Sequence, residues 1–90
     1  MSDALAKRFA ANLKHYRKES GLSQEDLAAM AEIHRSQVSA LSQAKQIPKI
    51  DTLVKLAGAL GIPAGDLLEG LEFEPASRSG KFKIAPTGKK

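Results

Sequence analysis

The residues of this chain best suited to specific recognition are the short polar side chains and the one arginine between positions 34 and 43. Val38 and Leu41, three apart, mark the buried side of a short helix there, which leaves Arg35, Ser36, Gln37, Ala40 and Gln43 on the outside. Held rigidly on a protruding helix, such a face fits the major groove of duplex DNA, about 12 Å wide. Other chemistries find less support. Ser36 and Ser39 are candidate nucleophiles, yet no triad and no glycine-rich elbow accompanies them, so the chain is not expected to be an enzyme. It has no cysteine, and His15 and His34 lack a ligand-spaced partner set, so no disulfide, metal or other cofactor is expected. His34, a turn histidine without a visible partner, reads as solvated.

That helix needs neighbours to hold it out. Leu5, Phe9, Leu13 and Tyr16 recur at steps of four, four and three, which lines one face of a helix over residues 3–19, and Gly21 ends it. Ser23 can cap the next helix, with Asp26 reaching back three residues on. That second helix runs from Gln24 to about Ala31 with Leu27, Ala28 and Ala31 inward, and Ala28 is small enough to let its neighbour approach. Ile33 plugs a tight turn, and the third helix follows over residues 35–43. Pro48 makes a connector, because proline lacks an amide donor and disfavours helix in the residue before it. A fourth helix starts at Lys49 or Asp51, buries Leu53, Leu56, Ala57 and Leu60, and stops at Gly61. Pro63 suits the first turn of a fifth, carrying Leu67 and Leu68 and closing at Gly70. The expected fold is all-α, a five-helix bundle over residues 1–70.

After Gly70 the period changes. Leu71-Glu72-Phe73-Glu74 and Lys81-Phe82-Lys83-Ile84 alternate apolar with charged residues, as half-buried strands do, and residues 75–80 read as the loop of a β-hairpin. Leu71 and Phe73 would share a face opposite Phe82 and Ile84, with Glu72 and Glu74 opposite Lys81 and Lys83. Residues 85–90 read as a frayed end. An isolated hairpin is marginal in water, so its apolar face is expected to pack on the fifth helix and on a partner chain, making the protein a homodimer through residues 71–90.

Charge agrees with a polyanion partner without proving one. The chain of 90 residues carries a net +4, of which residues 71–90 hold five basic and two acidic side chains. A chain this short buries only about 60 to 65% of its unfolded surface, which leaves little room for an enclosed active site. Its apolar stretches fall far short of the roughly 18 residues that cross a bilayer, and its first residues lack the apolar core of a signal peptide, so a cytoplasmic protein with no membrane partner is expected.

Several motifs together resemble the helix-turn-helix family of phage repressors and Xre-type bacterial transcription regulators. They are the runs at 17–28 (RKESGLSQEDLA), 35–41 (RSQVSAL), 47–53 (IPKIDTL) and 60–63 (LGIP), and the resemblance covers about residues 5 to 70. It implies sequence-specific duplex DNA binding. Carried over residue by residue, it implies that Gln24, at a helix N-terminus, contacts a phosphate, and that Gln43, Lys45 and Lys49 flank the same backbone. Arg35, Ser36 and Ala40 fall where family members read bases, with Gln37 on the groove rim. Arginine can donate two bonds to guanine O6 and N7, and the Ala40 methyl can touch a thymine methyl.

The chain departs from the family pattern at three places. Glu32 and Ala44 stand where the family has glycine at the ends of the second and third helices, so a slightly remodelled turn and a different exit loop are expected. Ser42 replaces a frequent acidic partner of the arginine at position 17, so Arg17 needs another acceptor. An antitoxin, binding DNA through the bundle and a protein partner through the tail, is an alternative reading, as is a protein-interaction module on the same fold.

Overall fold

A computed structural model describes residues 3–75 together with the backbone of residues 82–84. Four α-helices form at the expected places: α1 (Asp3–Glu19), α2 (Gln24–Ala31), α3 (Arg35–Ser42) and α4 (Ile50–Leu60). Each ends in the same way. A residue there takes a left-handed conformation (Gly21, Glu32, Ala44 and Gly61), and its amide and the next one turn back to the last carbonyls. At Gly21 and Gly61 this costs nothing, since φ of 73° and 71° is open to glycine. Ser23 caps α2, accepting from the Asp26 amide at 2.9 Å, while the Ser23 amide donates to Asp26 Oδ2 at 3.4 Å.

The stripes read from periodicity meet in one core. Phe9 and Leu13 of α1, Leu27 of α2, Val38 and Leu41 of α3, Leu56 of α4 and Leu67 beyond it are all fully buried. Tyr16, Ile33 and Leu53 pack against that core from its margin. α2 lies against both α3 and α4, and α1 supports α3 from behind.

The expected fifth α-helix is instead a 3-10 helix, Ala64–Leu68, so the bundle has four α-helices rather than five. Between Pro63 and Gly70 the segment is too short, with Gly65 inside it, to propagate α-helical bonds, and it tightens into the i to i+3 pattern. The Asp66 amide donates to the Pro63 carbonyl at 3.0 Å and the Glu69 amide to the Asp66 carbonyl at 3.3 Å. Its last carbonyls are held from outside by Asn12, a buried polar residue that periodicity alone does not single out. Asn12 Nδ2 donates to the carbonyls of Leu67 at 2.9 Å and Glu69 at 3.0 Å. Leu67 is buried as expected, whereas Leu68 is 40% exposed, because a threefold turn points consecutive residues away from each other.

Beyond it, β1 (Leu71–Phe73) pairs antiparallel with β2 (Phe82–Ile84), in the register Leu71 with Ile84, Glu72 with Lys83 and Phe73 with Phe82. This is the expected hairpin with the expected facing pairs. The proposed Glu74–Lys81 pair lies partly outside the described residues, as do the side chains of Phe82 and Ile84. The hairpin was expected to pack on the fifth helix, but β2 lies against α1.

Candidate nucleic-acid interface

Two helix ends and one helix start fix the recognition helix. At the end of α2, Glu32 adopts φ 58°, its amide donates to the Ala29 carbonyl at 3.2 Å, and the Ile33 amide donates to the Ala28 carbonyl at 3.0 Å. The turn thus has the left-handed residue and the paired backbone bonds of a glycine helix end, made here with glutamate. It turns Ile33 onto the core, which sets the angle at which α3 leaves. At the start of α3, the His34 amide donates to Gln37 Oε1 at 3.3 Å. Gln37, half-buried, thus serves the helix that carries it. At the far end the Ala44 amide donates to the Leu41 carbonyl at 3.2 Å and the Lys45 amide to the Ala40 carbonyl at 3.0 Å. Ala44 has φ 60°, and Gln43 is the cap rather than the last helical residue.

These two turns hold the only non-glycine residues with positive φ among the described residues, and both bracket α3. An L-residue pays about 1 kcal/mol or more for that conformation. Ala44→Gly is therefore expected to raise unfolding free energy by up to about 1 kcal/mol, the relief of strain exceeding the added entropy of the unfolded chain. Urea unfolding of the two proteins measures it, and a less stable glycine variant would contradict the strain.

On the outer side Arg35 and Ser36 are exposed, and Ala40, one turn on, is half-buried. Gln43 is exposed and its Nε2 donates to Ser39 Oγ at 2.7 Å, which ties the end of the helix to its own flank. Lys45 and Lys49 stand exposed beyond it, the latter as the cap of α4, and Gln24 is half-buried at the first position of α2. One polar residue escaped the sequence reading. Glu25 Oε2 accepts from Arg35 Nη1 at 2.7 Å, joining the start of α2 to the start of α3. The available signal was an acidic residue beside Gln24 and an arginine at the head of the next helix, two starts that a helix-turn-helix brings close.

Behind the helix, Arg17 does find a substitute acceptor: its Nη1 donates to the Leu22 carbonyl at 2.8 Å. Arg17 Nε and Ser42 Oγ are both buried without a protein hydrogen-bond partner. Among the described residues no group of histidine, cysteine and carboxylates could hold a metal ion, and no helix is long and apolar enough to cross a membrane.

Geometry of this kind, two short helices locked at a fixed angle with a polar second helix outward, agrees with what comparison with known proteins finds. A family profile described as helix-turn-helix matches residues 13–67, from inside α1 into the 3-10 helix. The chain belongs to the helix-turn-helix family. Within that family it is 41% identical over 61 residues to the HTH-type transcriptional regulator DdrOP3 of Deinococcus deserti, a match covering 68% of this chain and 47% of that regulator. The chain thus spans about half the length of that relative. Among solved structures it is similar to the restriction-modification controller protein C.AhdI from Aeromonas hydrophila, with 32% identity, a TM-score of 0.67, and coverage of 69% of this chain and 94% of that one. It is likewise similar to the N-terminal DNA binding domain of SinR from Bacillus subtilis, at 33% identity and a TM-score of 0.64, over 67% of this chain and 88% of that one.

Proposed function

We propose that this helix-turn-helix protein is a transcription regulator that binds duplex DNA sequence-specifically, with α3 in the major groove. The observation that carries the reading is the exposed Arg35 and Ser36 at the head of a helix locked between two capped turns, inside the span that matches the family. Base edges are read by Arg35, Ser36 and Ala40, with Gln37 on the rim. Gln37 reaches the groove only from its place at the cap, so its part is to fix the helix start as much as to touch DNA. Gln24, Gln43, Lys45 and Lys49 take the phosphates on either side, where backbone amides and positive charge meet the anion. The function is binding, with no catalytic step.

Residues 1–70 are the DNA-binding unit and residues 71–90 the assembly element. One recognition helix of eight residues touches few base pairs. Two of them about 34 Å apart, one DNA turn, read a half-site each. The second copy is supplied by a homodimer whose contact includes Leu71 and Phe73, with Phe82 and Ile84 on the facing strand. Supporting this, Phe73 is 56% exposed although it sits in a paired strand.

Selection from a random duplex pool tests the function. The expected result is convergence on a two-fold symmetric site with half-sites one turn apart, and recovery of no common motif would contradict it.

A further inference from the structure

We propose that Glu25 is a specificity determinant that acts through Arg35, an inference that rests on the base-reading role assigned to Arg35 above. The pair is the one ion pair between α2 and α3 among the described residues, with Arg35 Nη1 and Glu25 Oε2 at 2.7 Å. Both side chains are largely exposed, at 66% and 69%, so the contact contributes little to holding the helices together. Its consequence lies on the DNA side.

An unrestrained guanidinium on a long stem bonds a phosphate as readily as a base, and phosphate contacts carry no sequence information. Glu25 changes both options. With Nη1 engaged, the Nε and Nη2 hydrogens form an edge with two parallel donors, which is the geometry that guanine O6 and N7 accept. Arg35 also loses less rotamer freedom on binding, because one conformer is already favoured. The edge is aimed in one direction, so a phosphate lying off that line is reached only if Arg35 leaves Glu25 and strands a carboxylate beside the polyanion. The pair is kept on the right sequence and broken on the wrong one, so Glu25 widens the difference between them.

Glu25→Gln removes the charge and keeps the shape. The full-length protein is titrated with a duplex recovered by selection and with a scrambled duplex of equal length, alongside thermal unfolding. Affinity for the scrambled duplex is expected to rise, affinity for the selected one to rise less or fall, and their ratio to drop about two- to fivefold, the scale of one exposed charge pair. The melting temperature is expected to stay unchanged. In an Arg35→Ala background, Glu25→Gln should shift both affinities by a common factor and leave the ratio as it was. Equal gains on both duplexes in the wild-type background, or the same drop in ratio without Arg35, would mean that Glu25 acts only as bulk charge and would overturn the proposal. If Arg35→Ala alone leaves the ratio intact, the base-reading assignment itself fails. If Arg35→Ala collapses the ratio and Glu25→Gln does not, the role given to Glu25 fails alone.

Discussion

Replacing Arg35 by alanine is expected to cost about 1 to 3 kcal/mol on the preferred duplex and to relax the preference at one base pair, while Lys45→Ala weakens every sequence alike. The two residues differ in what they are placed to do. Arg35 opens α3 with its guanidinium exposed and oriented by Glu25, whereas Lys45 follows the helix in the exit turn, exposed beyond Ala44. A lost base contact removes discrimination. A lost phosphate contact removes one counterion release and lowers the salt slope by about one. Titrations of each variant on the selected duplex and on its single-base variants measure the contrast. Equal losses for Arg35→Ala on specific and scrambled DNA would show that Arg35 positions rather than reads.

Truncation after Gly70 is expected to have the larger effect, converting a dimer to a monomer and weakening binding to a symmetric site about a hundredfold or more. Linking two modest binding events multiplies affinity by about 10² to 10⁴ without any new contact, and the monomer forfeits that factor. The bundle itself should survive, since its core residues and the Asn12 bonds to the Leu67 and Glu69 carbonyls all lie before the cut. Helicity by circular dichroism checks that, and light scattering reads the assembly state. A truncated chain as dimeric as the full one, binding the site equally well, would remove the hairpin from assembly. In the strand register Glu72 stands opposite Lys83 and Phe73 opposite Phe82.

Much of this was legible because the deciding signals are local. Four helices announced themselves by period and by caps: Ser23 with Asp26 three residues on, Gly21, Gly61 and the prolines. The fifth was misread because Leu67 and Leu68 look alike to a period count, whereas α and 3-10 geometry differ in whether a short segment with an inner glycine can close i to i+4 bonds. Asn12 was invisible for a different reason. Its partners lie 55 and 57 residues away, and no local pattern distinguishes a buried asparagine that ties down carbonyls from a solvated one. Glu32 and Ala44 suggested altered turns from their side chains alone, but the hydrogen bonds that close those turns belong to the backbone, so a left-handed turn forms at both and each L-residue carries its strain. In the candidate site, the exposed face of α3 followed from Val38 and Leu41 pointing inward. The Glu25 contact did not, because it depends on how two helix starts converge in space.

The central claim, specific duplex binding through α3, is tested most directly by measuring the affinity of the full-length chain for a selected and a scrambled duplex across a range of salt. Log affinity for the selected duplex is predicted to fall linearly with log salt as lysine and arginine contacts release counterions, and to stay well above that of the scrambled duplex throughout. Affinity that is flat from low to physiological salt, or equal for the two duplexes, would contradict it.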